Sequence, residues 1–363
     1  MKIECQTNLL RNAVQLLQPV CPLRTTMPIL SNLLIRAKAG QIELCATDLD
    51  LSVKTEIPAD VAEEGETTIP VRFFLDALRR MSTETIELSV DEANVSTILS
   101  GNKVKCSLRG MDPETFAKFP EIESSDSIEL PTKDLANMLR YTSYAVSKDE
   151  SKFMLNGVCF SFGDQFDVVA TDGKRLAKYA MPGVKRENAI QIIIPSKSIA
   201  IMQQMLSTEG TVELQYTSSQ LKLKTLSSEL VTRLVDEHYP NYNQVIPKSC
   251  QASINVDRRK FLNAVNLASV VTEKSKQAVV RLSFSENQLS INANTAEIGE
   301  VNDTLEVKYE GDSVDLAVNP AYLTDVCQSI ESEEIIIEIT GNSSPLVIRS
   351  GENFLCIIMP LRV

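Results

Sequence analysis

The chain contains no tryptophan and a single histidine, His238, among its 363 residues. Imidazole-rich zinc sites and Ser-His-Asp triads both depend on histidine, so this inventory all but removes them. The eight cysteines (5, 21, 45, 106, 159, 250, 327 and 356) are scattered and form no C-x-x-C pair. Several lie in apolar runs, where a free thiol behaves as a small buried hydrophobe rather than as part of a disulfide framework. No window approaches the roughly 18 consecutive apolar residues of a membrane span, and "MKIECQTNLL" lacks the apolar core of a signal peptide. A cytoplasmic protein that meets no membrane is expected. Nucleotide and hydrolase signatures are missing too: there is no G-x-x-x-x-G-K-[ST], G-x-G-x-x-G or G-x-S-x-G, and S-x-x-K at Ser100 and Ser219 stands without companion motifs. Positive charge is in deficit, with a formal net charge of −12, which at first sight disfavours a phosphate-rich partner.

What the chain does have is repetition. Thr47-Asp48 in "CATDLDLSV" returns as Thr171-Asp172 in "VVATDGKRLA", an offset of 124 residues, and Asn32 meets Asn156 at the same offset. "GQIEL" (40–44), "DQFDV" (164–168) and "NQLSI" (287–291) each read as a turn entering an alternating strand. "IPVRFFLDALRRM", "IPSKSIAIMQQML" and "VNPAYLTDVCQSI" align Phe74 with Ile199 and Leu323, Ala77 with Met202 and Val326, and Met81 with Leu206 and Ile330. That i, i+3, i+7 stripe is the core face of an amphipathic helix. The pattern predicts helices at 8–18, 71–81, 132–146, 195–206, 257–271 and 319–330 among antiparallel strands, an α+β chain. A period of about 125 residues is too long for a solenoid unit and long enough for a domain. Three similar domains follow, at 1–121, 122–248 and 249–363.

Charge is unevenly shared among these elements. The six helices carry a formal +6, so the remainder carries −18. A basic surface made by helices can bind a phosphate backbone without reading sequence, and no helix carries a recognition motif. Two other readings stay open here. Asp48, Asp50 and Asp172 are the candidate ligands of a metal-dependent enzyme. Alternatively, a protein scaffold that never meets DNA would make the basic helices incidental.

"RTTMPILSNLLI" (24–35), "ATDLDLSV", "LNGVCF", "VATDGKRLA", "YPNYNQVIP" (239–247) and the terminal "MPLRV" together resemble the bacterial sliding clamps, the β subunits of DNA polymerase III. The resemblance runs in order from Arg24 to Val363. It implies three clamp-fold domains with helices inside and sheets outside, two chains joined head to tail in a ring, and duplex DNA threaded through it. It implies a processivity factor that catalyses nothing and needs no metal or cofactor. Implied partners are primer-template DNA, the polymerase III α subunit, the clamp loader, and other polymerases and repair proteins bearing a clamp-binding peptide.

Residue by residue, the resemblance implies a peptide-binding pocket of Leu155, Thr171, Gly173, Lys174, Arg175, Leu176, Pro240, Val245, Ile357, Met359, Pro360, Leu361 and Arg362. An apolar, adaptable groove with a few polar groups suits capture of a short peptide carrying a Gln, a Leu and an aromatic or aliphatic anchor. Lys174 stands where the family often has His. Arg24 matches a family position near the hole, and Arg72, Arg79, Arg80, Lys197, Arg258 and Arg259 join it as DNA contacts because they fall on predicted inner helices; Lys148 and Lys152 lie on the loop before "LNGVCF". For the ring seam, Cys106 and Leu108 are expected to pack against Val270 and Val271 of a second copy, with Lys103 and Lys105 facing Glu297 and Glu300.

Overall fold

The computed structural model describes residues 1–91, 96–101, 104–122, 127–186, 189–206, 209–272 and 278–362. Its helices are α1 (Thr7–Leu17), α2 (Val71–Arg80), α3 (Thr132–Thr142), α4 (Ser196–Met205), α5 (Arg258–Thr272) and α6 (Pro320–Ser329). Each begins within about one residue of its expected start. The third is shorter than its pattern: Thr142 turns its hydroxyl back onto the Met138 carbonyl at 2.7 Å, and a 3-10 turn, Ser143–Ala145, follows. Asn319 caps α6, accepting from the Ala321 amide at 2.9 Å, with Pro320 at the first helical position. Asp257 does the same for α5 through the Lys260 amide at 2.8 Å.

The chain forms two compact units, Met1–Ala136 with Lys197–Leu234, and Asn137–Ser196 with Val235–Val363. In the first, a five-stranded sheet runs Asp60–Glu63, Lys2–Gln6, Thr85–Asp91, Ser96–Gly101, Val104–Arg109. Beside it lies an eight-stranded sheet, in which Ser127–Pro131, Thr211–Tyr216, Gln220–Lys224 and Ser228–Arg233 from the middle repeat continue into Leu51–Pro58, Gln41–Thr47, Asn32–Lys38 and Gly65–Pro70 from the first. The join is one antiparallel pairing, Ser228–Thr232 against Leu51–Thr55. The second unit repeats the plan. Ile190–Pro195, Gly157–Phe162, Phe166–Thr171 and Arg175–Met181 continue through an Arg175–Tyr179 pairing into Phe354–Ile358, Leu346–Ser350, Glu334–Ile339 and Ala252–Asp257. A four-stranded sheet, Gly299–Glu306, Gln288–Thr295, Val280–Ser285, Val314–Val318, completes it.

Strand alternation puts one face of each sheet against the helices. Lys2–Gln6 alternates exposed and buried without a break. α1 buries Leu10, Ala13, Val14 and Leu17 beside Val71, Phe74, Leu75 and Leu78 of α2. α5 packs against α6 and onto Gln288–Thr295 in the same way. The basic residues of α2 fall on its other face, where Arg72, Arg79 and Arg80 are exposed.

Candidate functional site

The two Thr-Asp copies form sister turns, one in each unit. Thr47 Oγ1 accepts from the Leu49 amide at 3.0 Å, and Thr171 Oγ1 from the Gly173 amide at 3.1 Å. Asp48 Oδ1 accepts from Asp50 and Leu51 at 3.0 and 2.7 Å; Asp172 Oδ1 accepts from Lys174 and Arg175 at 2.8 and 3.0 Å. The third residue is left-handed in both, with φ 79° at Leu49 and 86° at Gly173. Side chains that bond their own turn this way explain why the Thr-Asp pair recurs. The other Asp48 oxygen meets Lys197, Asp50 sits 3.5 Å from Arg233, and the other Asp172 oxygen sits 3.3 Å from Arg175. These aspartates are structural, and among the described residues no group of three or more His, Cys, Asp or Glu could hold a metal.

Around the second turn an apolar cluster gathers Leu155, Cys159, Val169, Leu176, Ile193, Tyr239, Tyr242, Val347 and Ile357. Three expected pocket residues, Leu155, Leu176 and Ile357, are its buried floor. Val245 and Met359 keep 47% and 43% of their surface, so apolar area is left open at the rim. Pro240, Gly173, Lys174 and Arg362 are exposed, and Thr171, Pro360 and Leu361 are half-buried. Strand pairing sets this geometry: Arg175 lies opposite Ile358, and the Met359 amide then bonds the Lys174 carbonyl at 2.9 Å.

Arg175 is more tightly held than a ligand-seeking arginine. Only 8% of its side chain is exposed. Its guanidinium meets Asp325 at 2.6 Å, Asp172 at 3.3 Å and the Tyr144 carbonyl at 2.7 Å, and lies 4.5 Å from the Tyr322 ring centre. Burial would lower its pKa; the hydrogen bond and charge of Asp325, with the charge of Asp172, raise it instead. A second buried pair stands under the 3-10 turn Tyr242–Val245. Asp167 accepts from Lys178 at 2.7 Å, from Gln165 at 2.8 Å and from the Tyr242 hydroxyl at 3.1 Å. Burial, then the charge of Asp167, raises the Tyr242 phenol above its ordinary range. Sequence reading missed Asp325, Tyr322, Asp167 and Lys178. Tyr242 sits inside "YPNYNQVIP", between two residues that were identified.

The basic candidates divide. Arg24, Arg72, Arg79, Arg80, Lys148, Lys152 and Arg259 are exposed, Arg79 only 4.0 Å from Asp76. Lys197 and Arg258 are engaged by their own fold. The Lys197 ammonium bonds Asp48 and, at 3.1 Å, the Val20 carbonyl. Arg258 caps the carbonyls of Ser332 at 2.6 Å and Cys327 at 3.0 Å. Each is anchored by its own fold, and Lys197 still keeps 45% of its side chain exposed.

Of the seam candidates, Lys103 lies outside the described residues. Lys105 is exposed, and Cys106 and Leu108 are half-buried, on Val104–Arg109, an edge strand with one side unpaired among the described strands. Glu297 and Glu300 are exposed at and before another edge, Gly299–Glu306. Val270 is 60% exposed, but Val271 is buried in its own unit at 7%, where its carbonyl accepts from Thr295 at 3.0 Å. The open apolar partner of Val270 on α5 is Leu267, 54% exposed and three residues before it, on the same helical face.

Models of the DNA polymerase III beta subunit match the chain in order: the N-terminal domain at 1–120, the central domain at 129–241 and the C-terminal domain at 243–362. The chain is 29% identical over 365 residues to the beta sliding clamp of Chlamydia muridarum, covering 100% of this chain and 99% of that protein. It is similar in structure to a DNA polymerase sliding clamp from Bacillus subtilis (TM-score 0.91, 28% identity, 100% and 99% of the two chains covered). A Pseudomonas aeruginosa sliding clamp bound to griselimycin is also similar (TM-score 0.92, 25% identity, 100% of both chains covered).

Proposed function

Since the chain belongs to the family of DNA polymerase III β subunits, the bacterial sliding clamps, and is thereby a non-catalytic processivity factor of DNA replication, we propose how its parts divide that work. Its domains are 1–121, 122–248 and 249–363, and two chains close a ring head to tail. The edge strand Val104–Arg109 of one copy joins Gly299–Glu306 of the other, with Cys106 and Leu108 against Val270 and Leu267 and with Lys105 facing Glu297 and Glu300. Unpaired edge strands of this kind call for a partner. Duplex DNA passes through the ring, touched without sequence preference by Arg24, Arg72, Arg79, Arg80, Lys148, Lys152 and Arg259. Closure supplies retention, so the phosphate contacts stay weak and screened enough to slide.

The open apolar rim at Val245 and Met359, over Leu155, Leu176 and Ile357, receives a short peptide. It belongs to the polymerase α subunit, the clamp loader, or other polymerases and repair proteins that take turns at one site. Tethering there raises the effective concentration of polymerase at the primer end. As a replication protein of bacteria it works in the cytoplasm, and among the described residues no helix is long and apolar enough to cross a membrane.

The observation that carries this reading is the ordered match of three β-subunit domains to one chain. Its test is retention on DNA after loading. The protein should stay on nicked circular plasmid through a salt wash and leave within seconds once the plasmid is linearised. Equal loss from both forms would sink the encircling reading.

A further inference from the structure

The sister turns share a backbone but not their side-chain partners, and the difference falls at one register position. In the first unit the Arg233 amide bonds the Asp50 carbonyl at 2.8 Å, and in the second the Met359 amide bonds the Lys174 carbonyl at 2.9 Å. Thr232 pairs with Leu51 as Ile358 pairs with Arg175, so Asp50 corresponds to Lys174 and Arg233 to Met359. In the first unit this pair is ionic, with Asp50 and Arg233 3.5 Å apart. In the second the charge is reversed and its counterpart has become an exposed methionine. Asp172 and Asp325 are already held by Arg175, and no carboxylate among the described residues lies within 4.0 Å of the Lys174 ammonium.

Resting on the groove reading above, we infer that Lys174 is a specificity-determining residue: it selects peptides that carry an Asp or Glu beside the apolar residue seated on Met359. The bound peptide supplies the opposite charge that Arg233 gives the turn in the first unit, and beside it an apolar side chain for the Met359 thioether. Met359 tolerates many shapes, so without Lys174 the rim would discriminate little among apolar anchors. The pair forms at an exposed rim and therefore adds selectivity rather than bulk affinity.

The test uses fluorescein-labelled peptides carrying Gln, Leu and Phe anchors, with a single Asp or its Asn isostere placed before, between or after the anchors. Each is titrated against the full chain, Lys174→Ala and Lys174→Glu, at low and high salt. At one position the parent should prefer Asp over Asn about two- to fivefold at low salt, less at high salt. Lys174→Ala should bring the ratio to one, and Lys174→Glu below it. An Asp-to-Asn ratio that is the same in all three proteins overturns the inference while leaving the groove intact. The groove reading itself, and the inference with it, falls if the parent binds none of the peptides, or if Met359→Asp binds them as well as the parent.

Discussion

Arg175→Ala separates two roles for a residue that sequence alone places in the peptide pocket. The structure holds its guanidinium between Asp325 at 2.6 Å, Asp172 at 3.3 Å and the Tyr144 carbonyl. Removing one partner of a buried ion pair costs about 3–5 kcal/mol. Here the abandoned carboxylates reach water, with Asp172 18% and Asp325 37% exposed, which reduces the penalty to about 2–3 kcal/mol. For a unit of 189 residues that corresponds to a melting shift of roughly 5–10 °C. Tyrosine fluorescence suits the measurement, since the chain has no tryptophan and, of its eight tyrosines, all but Tyr216 lie in the unit that contains Arg175. Arg175→Lys should fall between parent and Ala, keeping the charge but not the fork that reaches two carboxylates and a carbonyl. If Arg175→Ala melts with the parent yet fails to bind peptide, Arg175 is a ligand contact and its internal network carries no weight.

Met359→Asp should weaken peptide binding five- to thirtyfold, about 1–2 kcal/mol of lost apolar contact, without moving the melt, because the side chain is 43% exposed before any ligand arrives. Leu49→Gly should raise the melting temperature of the first unit by about 1–3 °C, from relief of a leucine held at φ 79°; a lower melt would mean the Leu49 side chain is packed on something that needs it. Thiol labelling at neutral pH should be fast at exposed Cys250, whereas Cys5, Cys21, Cys45, Cys159, Cys327 and Cys356, which burial pushes up to about 12, should react only on unfolding. The Lys260 amide holds the Asp257 carboxyl below its usual range, so its support for α5 is present above about pH 4 and lost as pH falls through the folded value. The gap in melting temperature between parent and Asp257→Ala should therefore close in acid.

The parts legible in the sequence are those written within one repeat. Periodicity and repetition together placed α1 to α6, and the recurrence of Thr-Asp marked a turn whose hydrogen bonds span three residues. Much of what escaped was written across repeats. Nothing local in "VATDGKRLA" says that Arg175 will meet Asp325, because that contact depends on Arg175 pairing opposite Ile358 and on α6 packing nearby. Lys197 looked like a free cation on a helix until the fold brought Asp48 to it across 149 positions. Val271 parts from Val270 because adjacent helical residues point about 100° apart, and on α5 that step carries Val271 from the open face onto its own unit. Asp167 and Lys178 sit on neighbouring strands among apolar residues; strand alternation would turn Asp167 away from Phe166 and Val168, and nothing local in either strand says that the two pair.

The order in which the strands are synthesised has its own consequence. Arg175–Met181 lies in the middle of an eight-stranded sheet, but the neighbour it needs, Phe354–Ile358, comes last in chain order among the described strands. The first unit is finished once Leu234 has emerged; the second waits more than a hundred residues longer with a raw edge at Arg175–Met181. Nascent chains are thus most prone to edge-to-edge pairing in that interval. A chain cut just before Phe354 would keep α1 to α6 and most of its core, yet lose in one stroke the strand that joins the two halves of the sheet and the Met359 rim beyond it.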